Sequence, residues 1–255
     1  LGDPDPQVRL QLAFSLGAWN DTRAAEALAK IALQHSDDPL TIAAVMSSST
    51  RMPGQILERI ITAGTPNVVQ AALIENLLRL LLQAEDEPSI AIGVGHVAAP
   101  DDGRYADWKF QVLAGFLDAL EYQGSSLLQF RDESDSSLQS AIDATAGVFE
   151  AARKVIVDPR SSSARRVQAI RLIGRGLEPR SDDPERLAEL LVPQTSAELQ
   201  LAVVDALGTL RPMNLPEIYL QRWKQHGPTV RPQILNYLWG NEQWTLQLLA
   251  QVAEG

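Results

Sequence analysis

The stretch GVGHVA at residues 93–98 has the spacing GxGxxA. In a dinucleotide-binding unit such glycines let the backbone approach a pyrophosphate at a helix N-terminus. That chemistry needs a preceding strand in a parallel sheet. SIAI at 89–92 could be one strand, but no partners follow at βαβ spacing, so a buried irregular connection is expected. His35, His96 and His226 are the 3 histidines, and no two share the i, i+3 or i+4 spacing that sets metal ligands on one helix face. His35 precedes Asp37 and Asp38, where capping of a helix N-terminus is favoured over an incidental ion site. PDDG at 100–103 and DESDS at 132–136 lack the alternating oxygens and distal Glu of a calcium loop.

Ser47 to Ser49, Ser125, Ser126 and Ser161 to Ser163 lie in polar runs rather than in a GxSxG elbow, which predicts turn solvation and not nucleophilic catalysis. The carboxylate pairs Asp132/Glu133 and Asp182/Asp183 fall at loops or helix starts. Capping and the helix dipole explain them there, and the burial that general acid–base work needs is not expected. No residue is assigned a catalytic, metal-binding or cofactor-binding role.

The balance of residues narrows the partners. Among 255 residues, 32 Asp and Glu outweigh 22 Lys and Arg for a net charge of −10, which repels a nucleic-acid backbone unless cations cluster. Arg165, Arg166 and Arg171 form the one cluster found. There are no cysteines, which excludes disulfides, thiolate metal sites, a cysteine nucleophile and CxxCH haem attachment from this segment. Glu75 and Arg79 interrupt the longest apolar run, Val68 to Leu82, so none reaches the roughly 18 residues of a bilayer span. The chain begins at Leu1 rather than Met, lacks a signal peptide's charged and apolar regions, and ends on LLAQVAEG just after a helix. This predicts a piece of a longer protein.

The elements that position these side chains are helices. Asp5 and Pro6 supply an N-cap and first-turn proline, apolar residues follow at Val8, Leu10, Leu12, Ala13 and Leu16, and Gly17 ends the run. A second helix follows Asp21, with Ala24, Ala25, Leu28, Ala29, Ile31 and Ala32 on one face, until HSDDP at 35–39 breaks it. The same grammar recurs in 37–49, 52–64 and 66–87. Further along, glycines act as a ruler: Gly174, Gly208 and Gly240 close RRVQAIRLIG, LQLAVVDALG and RPQILNYLWG at spacings of 34 and 32 residues. Between them lie second helices, DPERLAELLV and LPEIYLQRWKQ, each with an early proline. A period of this size with two helices per unit predicts an all-α solenoid of stacked hairpins, an α-α superhelix in which each neighbour covers an apolar face the other cannot bury alone.

The expected organisation is a single solenoid domain over 1–255, with N-terminal repeats at 1–85, an irregular or enlarged middle at 86–160 and C-terminal repeats at 161–255. The middle should hold two long helices, about Ala106 to Tyr122 and Ser136 to Val157, joined by a solvated loop, SSLLQFRDESDSS. Trp223, Trp239 and Trp244 crowd the last repeat. They are read most simply as core between the last two hairpins, and alternatively as a patch that docks a partner.

These residues resemble the HEAT-repeat proteins, in which the second helix of each unit begins with an Asp, followed by Val-Arg at offsets five and six. Asp3, Val8 and Arg9 match that pattern. Asp37 and Ile42 keep the spacing with Ala43 in place of arginine, while Gln194 with Gln200 and Gln225 with Arg231 replace the charged pair. LAGFLDALEYQGSSL, LLVPQTSAELQLAVVDAL and the closing VRPQILNYLWGNEQWTLQLLAQVAEG look more narrowly like the HEAT segment of large planctomycete proteins described as membrane-bound dehydrogenases or haem-binding CxxCH proteins.

That resemblance implies an extracytoplasmic spacer or docking scaffold. It contacts a protein partner or flanking domains of its own chain, with no cofactor in this segment, no nucleic acid and no membrane contact. It also implies that the helices beginning VRLQLAF, RRVQAIR, LQLAVVD and VRPQILN line a concave face. Their outward polar residues Gln7, Gln11, Arg165, Gln168, Gln200, Arg231 and Asn236 would then meet the partner. The competing class is an enzyme on HEAT-like repeats, such as a bilin lyase or a DNA glycosylase. The net charge of −10 opposes the glycosylase.

Overall fold

The computed structural model describes residues 3–19, 21–64, 66, 68–178 and 180–254. The chain ends on which the expectation of a longer protein rests, Leu1 and Gly255, lie outside these. All regular secondary structure among the described residues is helical. The described chain falls into two compact units, residues 1–151 and 152–255.

In the first unit the helices are α1 (Pro6–Gly17), α2 (Thr22–Gln34), α3 (Pro39–Ser48), α4 (Pro53–Thr62), α5 (Val68–Gln83), α6 (Glu87–Ala98), α7 (Asp107–Tyr122), α8 (Leu127–Glu133) and α9 (Ser136–Ala144). Side-chain caps set several starts: Asp5 accepts from Gln7 N at 2.9 Å, Asp21 from Arg23 N at 2.8 Å and Asp38 from Leu40 N at 3.1 Å. Each satisfies an orphan amide of the first turn. Consecutive helices form hairpins, and the hairpins stack so that α1, α3, α5 and α7 build one layer and α2, α4, α6 and α9 the other. Leu28, Ile31, Ile56, Leu57, Ile60, Leu73, Ile74 and Leu77 are fully buried in this unit. At about 1.5–3 kcal/mol for each fully buried large side chain, this apolar interior is the main cohesive term.

Helix α10 (Ala146–Val157) follows, then α11 (Ser163–Ile170), α12 (Asp183–Ala188), α13 (Ala197–Leu210), α14 (Leu215–Leu220), a 3₁₀ turn at Trp223–Gln225, α15 (Val230–Trp239) and α16 (Glu242–Glu254). In the second unit α11, α13 and α15 stack as one layer, with α12 against α13 and α14 against α16.

Of the four glycines expected to stop helices, Gly17 and Gly240 do so at the ends of α1 and α15, Gly174 lies in the turn after α11, and Gly208 falls inside α13. Gly174 alone among the four adopts a left-handed φ, +78°, which glycine tolerates without cost. Gly17 is the last residue of α1, and a Cβ there would sit 2.5 Å from Ser48 Cβ of α3. Gly208 lies inside α13, and a Cβ there would overlap the ring of Tyr237 on α15. At these two positions successive hairpins approach so closely that a side chain would collide with the neighbour. In α6, Gly93 does the same against Leu78 and Leu57, at 2.8 and 2.9 Å.

The middle departs from expectation in three places. Residues 87–98 form a regular helix, α6, started by Asp86 accepting from Ser89 N at 3.2 Å and by Pro88 in its first turn. The stretch expected as loop at 125–137 contains α8, capped by Ser126. The helix expected across Ser136 to Val157 is broken at buried Thr145, whose hydroxyl donates to Ile142 O at 2.6 Å and ends α9. Helix α8 is the added element that enlarges this repeat.

Candidate partner-docking surface

The residues weighed as chemical sites are occupied with holding helices in place. GVGHVA lies within α6, with Gly93 at a helix–helix contact and His96 stacked on Trp108 at 5.5 Å; no strand precedes it among the described residues, so the dinucleotide motif has no framework there. Burial, reinforced by the nearby Lys109 charge, holds His96 below its ordinary value. Lys109 is itself buried at 1% exposure. Its ammonium donates to Ala99 O and, at 3.0 Å, to Asp101, fastening the turn that joins α6 to α7.

The serine and carboxylate readings need correcting. Ser48 and Ser49 are buried, Ser48 beneath Gly17 and Ser49 donating to Val45 O at 2.6 Å. Asp183 is buried too, and Arg153 grips both its oxygens, Nε to Oδ1 at 3.0 Å and Nη2 to Oδ2 at 2.9 Å. Arg180 N donates to the same carboxylate at 3.1 Å. A carboxylate held by a bidentate guanidinium serves as a structural anchor for the segment before α12. No group of three or more His, Asp or Glu among the described residues could hold a metal ion.

The residues expected on a partner-facing surface divide. Gln7, Gln11 and Asn236 are exposed, and Arg165, Gln168 and Arg231 are half-buried. Gln200 is 6% exposed and does not face outward. Its amide nitrogen donates to Val192 O at 3.0 Å and Thr195 O at 2.8 Å, so it closes the turn before α13. Gln7 and Gln11 belong to the first unit and the others to the second. Arg9 behaves like a turn clamp as well, donating to Asp3 O at 3.0 Å and Pro4 O at 2.9 Å.

Sequence reasoning missed a polar link between α13 and α15. Asp205 Oδ1 accepts from Gln233 Nε2 at 2.7 Å and from the Tyr237 hydroxyl at 3.1 Å. Burial and the Asp205 carboxylate push the Tyr237 phenol up to about 12. The signal was present: Asp205 interrupts an otherwise apolar run, and Gln233 and Tyr237 stand four apart, on one helix face.

None of the three crowded tryptophans is core. Trp223 and Trp244 are half-buried, and Trp239 is 61% exposed. The interior beside them is filled by Leu215, Tyr219, Val230, Ile234 and Leu238, with the Tyr219 hydroxyl donating to Val204 O at 2.7 Å. Leu220, Trp223, Leu235, Trp239, Leu248 and Leu249 instead line a groove of about 850 Å³, whose rim carries Arg222 and Lys224. Arg231 lies over the Trp223 ring at 5.4 Å, and its Nη2 donates to Lys224 O at 3.3 Å. His226, edge-on to Trp223 at 6.4 Å, is buried with Nε2 3.0 Å from Tyr219 O. Burial holds this imidazole below its ordinary value against that hydrogen bond, and Arg231 and Arg222 add to the depression.

The fold defines an all-α protein built from stacked helical hairpins of the HEAT-like kind. Residues 1–78, which include Asp3, Val8 and Arg9, match the family model for HEAT repeats. Comparison with curated proteins found no match, and comparison with solved structures likewise found none. No helix among the described residues is long and apolar enough to cross a membrane.

Proposed function

We propose that this chain is a noncatalytic helical scaffold that holds a protein partner, or flanking domains of its own chain, at its outer surfaces. The observation that carries the reading is the stacking. Hairpins within each unit cover one another's apolar faces, so the outward faces of the two layers are left for contact, as in repeat proteins generally. The match of residues 1–78 to HEAT repeats supports it, since such repeats generally mediate protein contacts. The resemblance to planctomycete redox proteins extends the reading: the segment is a spacer in a larger extracytoplasmic protein whose redox chemistry lies in other domains.

The native protein tests both parts. It is captured with an antibody raised to this segment, cross-linked, and measured for intact mass and pyridine-haemochrome absorbance. Cross-links from outward helix faces to another domain or polypeptide are expected, together with a mass well above 27.9 kDa and covalent haem. Cross-links confined to the segment would overturn the scaffold. A haem-free protein of this chain's own mass would overturn the redox parent.

A further inference from the structure

The groove of the second unit has an apolar floor, an aromatic wall and a cationic rim. Trp239 and Leu249 remain 61% and 57% exposed, beside the buried Tyr219, Ile234, Leu238 and Leu248 of the same helices. From Ile218 to Asn241 the chain carries Arg222, Lys224 and Arg231 and no carboxylate, within a protein of net charge −10. No ion pair among the described residues neutralises Arg222 or Lys224.

We infer that this groove receives an acidic amphipathic helix of a protein partner, its apolar side chains entering between Trp223 and Trp239 and its carboxylates meeting Arg222 and Lys224. The inference rests on the scaffold reading and specifies what the scaffold holds and where. A groove of about 850 Å³ accepts several leucine- or phenylalanine-sized side chains from successive helical turns, the helix-in-groove mode. Tryptophans at such a site supply large area with little side-chain entropy to lose, which is why they dominate contact energies. The rim selects charge: a helix flanked by lysines meets repulsion at the same place where glutamates find partners. A second copy docking symmetrically through the same patch would oppose Arg222 and Lys224 to their own counterparts. Two rim cations on a strongly acidic chain are few for holding a polyphosphate backbone.

The test titrates the full chain with a synthetic amphipathic peptide of about 16 residues, roughly four helical turns, bearing a leucine stripe flanked by glutamates. A second peptide replaces every glutamate with lysine, and a single-stranded oligothymidylate serves as the nucleic-acid probe. The glutamate peptide is expected to bind about tenfold or more tightly than the lysine peptide, and more tightly than the oligonucleotide. Added salt should narrow the difference. Arg222→Glu combined with Lys224→Glu should invert the preference. Trp239→Ala, at an exposed position, should weaken binding about tenfold while leaving the urea midpoint in place. Equal affinity for both peptides, no binding, preferred binding of the oligonucleotide, or a preference surviving charge reversal would overturn the inference. So would self-association abolished by the same reversal. If the peptide fails while the native protein still cross-links to a partner through other faces, the docking site is lost and the scaffold stands.

Discussion

Tyr237 of α15 lies across Gly208 of α13, so that the ring occupies the space a side chain at 208 would need. The contact brings together two hairpins of the second unit and sets Tyr237 where its hydroxyl reaches Asp205. Gly208→Ala should therefore destabilise the protein. Alanine gains about 1 kcal/mol of helix propensity over glycine, but overpacking against the ring costs about 1–3 kcal/mol. Combining Gly208→Ala with Tyr237→Ala should relieve the overlap, leaving the double variant more stable than the sum of the single losses. Urea unfolding of the four proteins measures that coupling; simple additivity would show that the ring yields freely.

Gln200→Ala should cost about 1–3 kcal/mol, because the Val192 and Thr195 carbonyls lose their shared donor. Gln11→Ala and Asn236→Ala, at exposed positions, should each stay within about 0.5 kcal/mol of the parent. Denaturation midpoints of the three variants separate a turn clamp from surface residues, and equal midpoints would contradict the burial of Gln200.

Asp183→Ala strands the Arg153 guanidinium in the interior. Removing one partner of a buried pair costs about 3–5 kcal/mol. Replacing both with apolar residues, as in Arg153→Met with Asp183→Leu, should recover much of the loss. Thermal unfolding of the single and double variants checks this, and a double variant no better than the single one would mean that the bonds to Arg180 N and Glu178 O matter more than the charges.

Both His96 and His226 are held below the ordinary value of 6.5 in the folded protein, first by burial. The unfolded chain therefore takes up protons before the folded one does as pH falls below about 6.5. The stability tied to these two side chains is complete above that pH and is lost progressively below it. Urea midpoints measured from pH 7.5 to 5 should fall, and His226→Gln should flatten part of the decline. Asp21 titrates separately: its hydrogen bonds to Arg23 lower it to about 2. The stability from its cap is present above the ordinary 3.8 and is lost as pH falls through about 2, which carboxyl NMR resonances would follow.

The helix starts were legible because their causes are local. An Asp before a proline or an apolar run can cap from its own sequence neighbourhood, and Asp5, Asp21 and Asp38 all do. The repeat period was legible for a less local reason, since the glycines mark where one hairpin meets the next. Their mechanism was not legible: a glycine two residues before a helix end reads as a stop, and only the neighbour's ring above Gly208 gives it another purpose. Residues 87–98 misled because glycines and β-branched residues depress helix propensity, while Asp86, Pro88 and packing against α4 and α9 decide otherwise. Gln200 misled because a polar residue near a helix start can point outward or turn back to the carbonyls behind it. At the groove, the tryptophans were visible as a cluster, but their exposure depends on how α14, α15 and α16 meet.

The close approach at Gly17 and Ser48, repeated at Gly208 and Tyr237, divides each fit between neighbouring hairpins: one supplies the notch and the next supplies the tooth. A hairpin copied or transplanted alone carries its own notch to a neighbour that lacks the matching tooth. The exchangeable module in such an array is thus the junction between two hairpins: each notch and its tooth sit on the first helices of successive hairpins, so a transplanted segment keeps its fit only when it carries both of those helices.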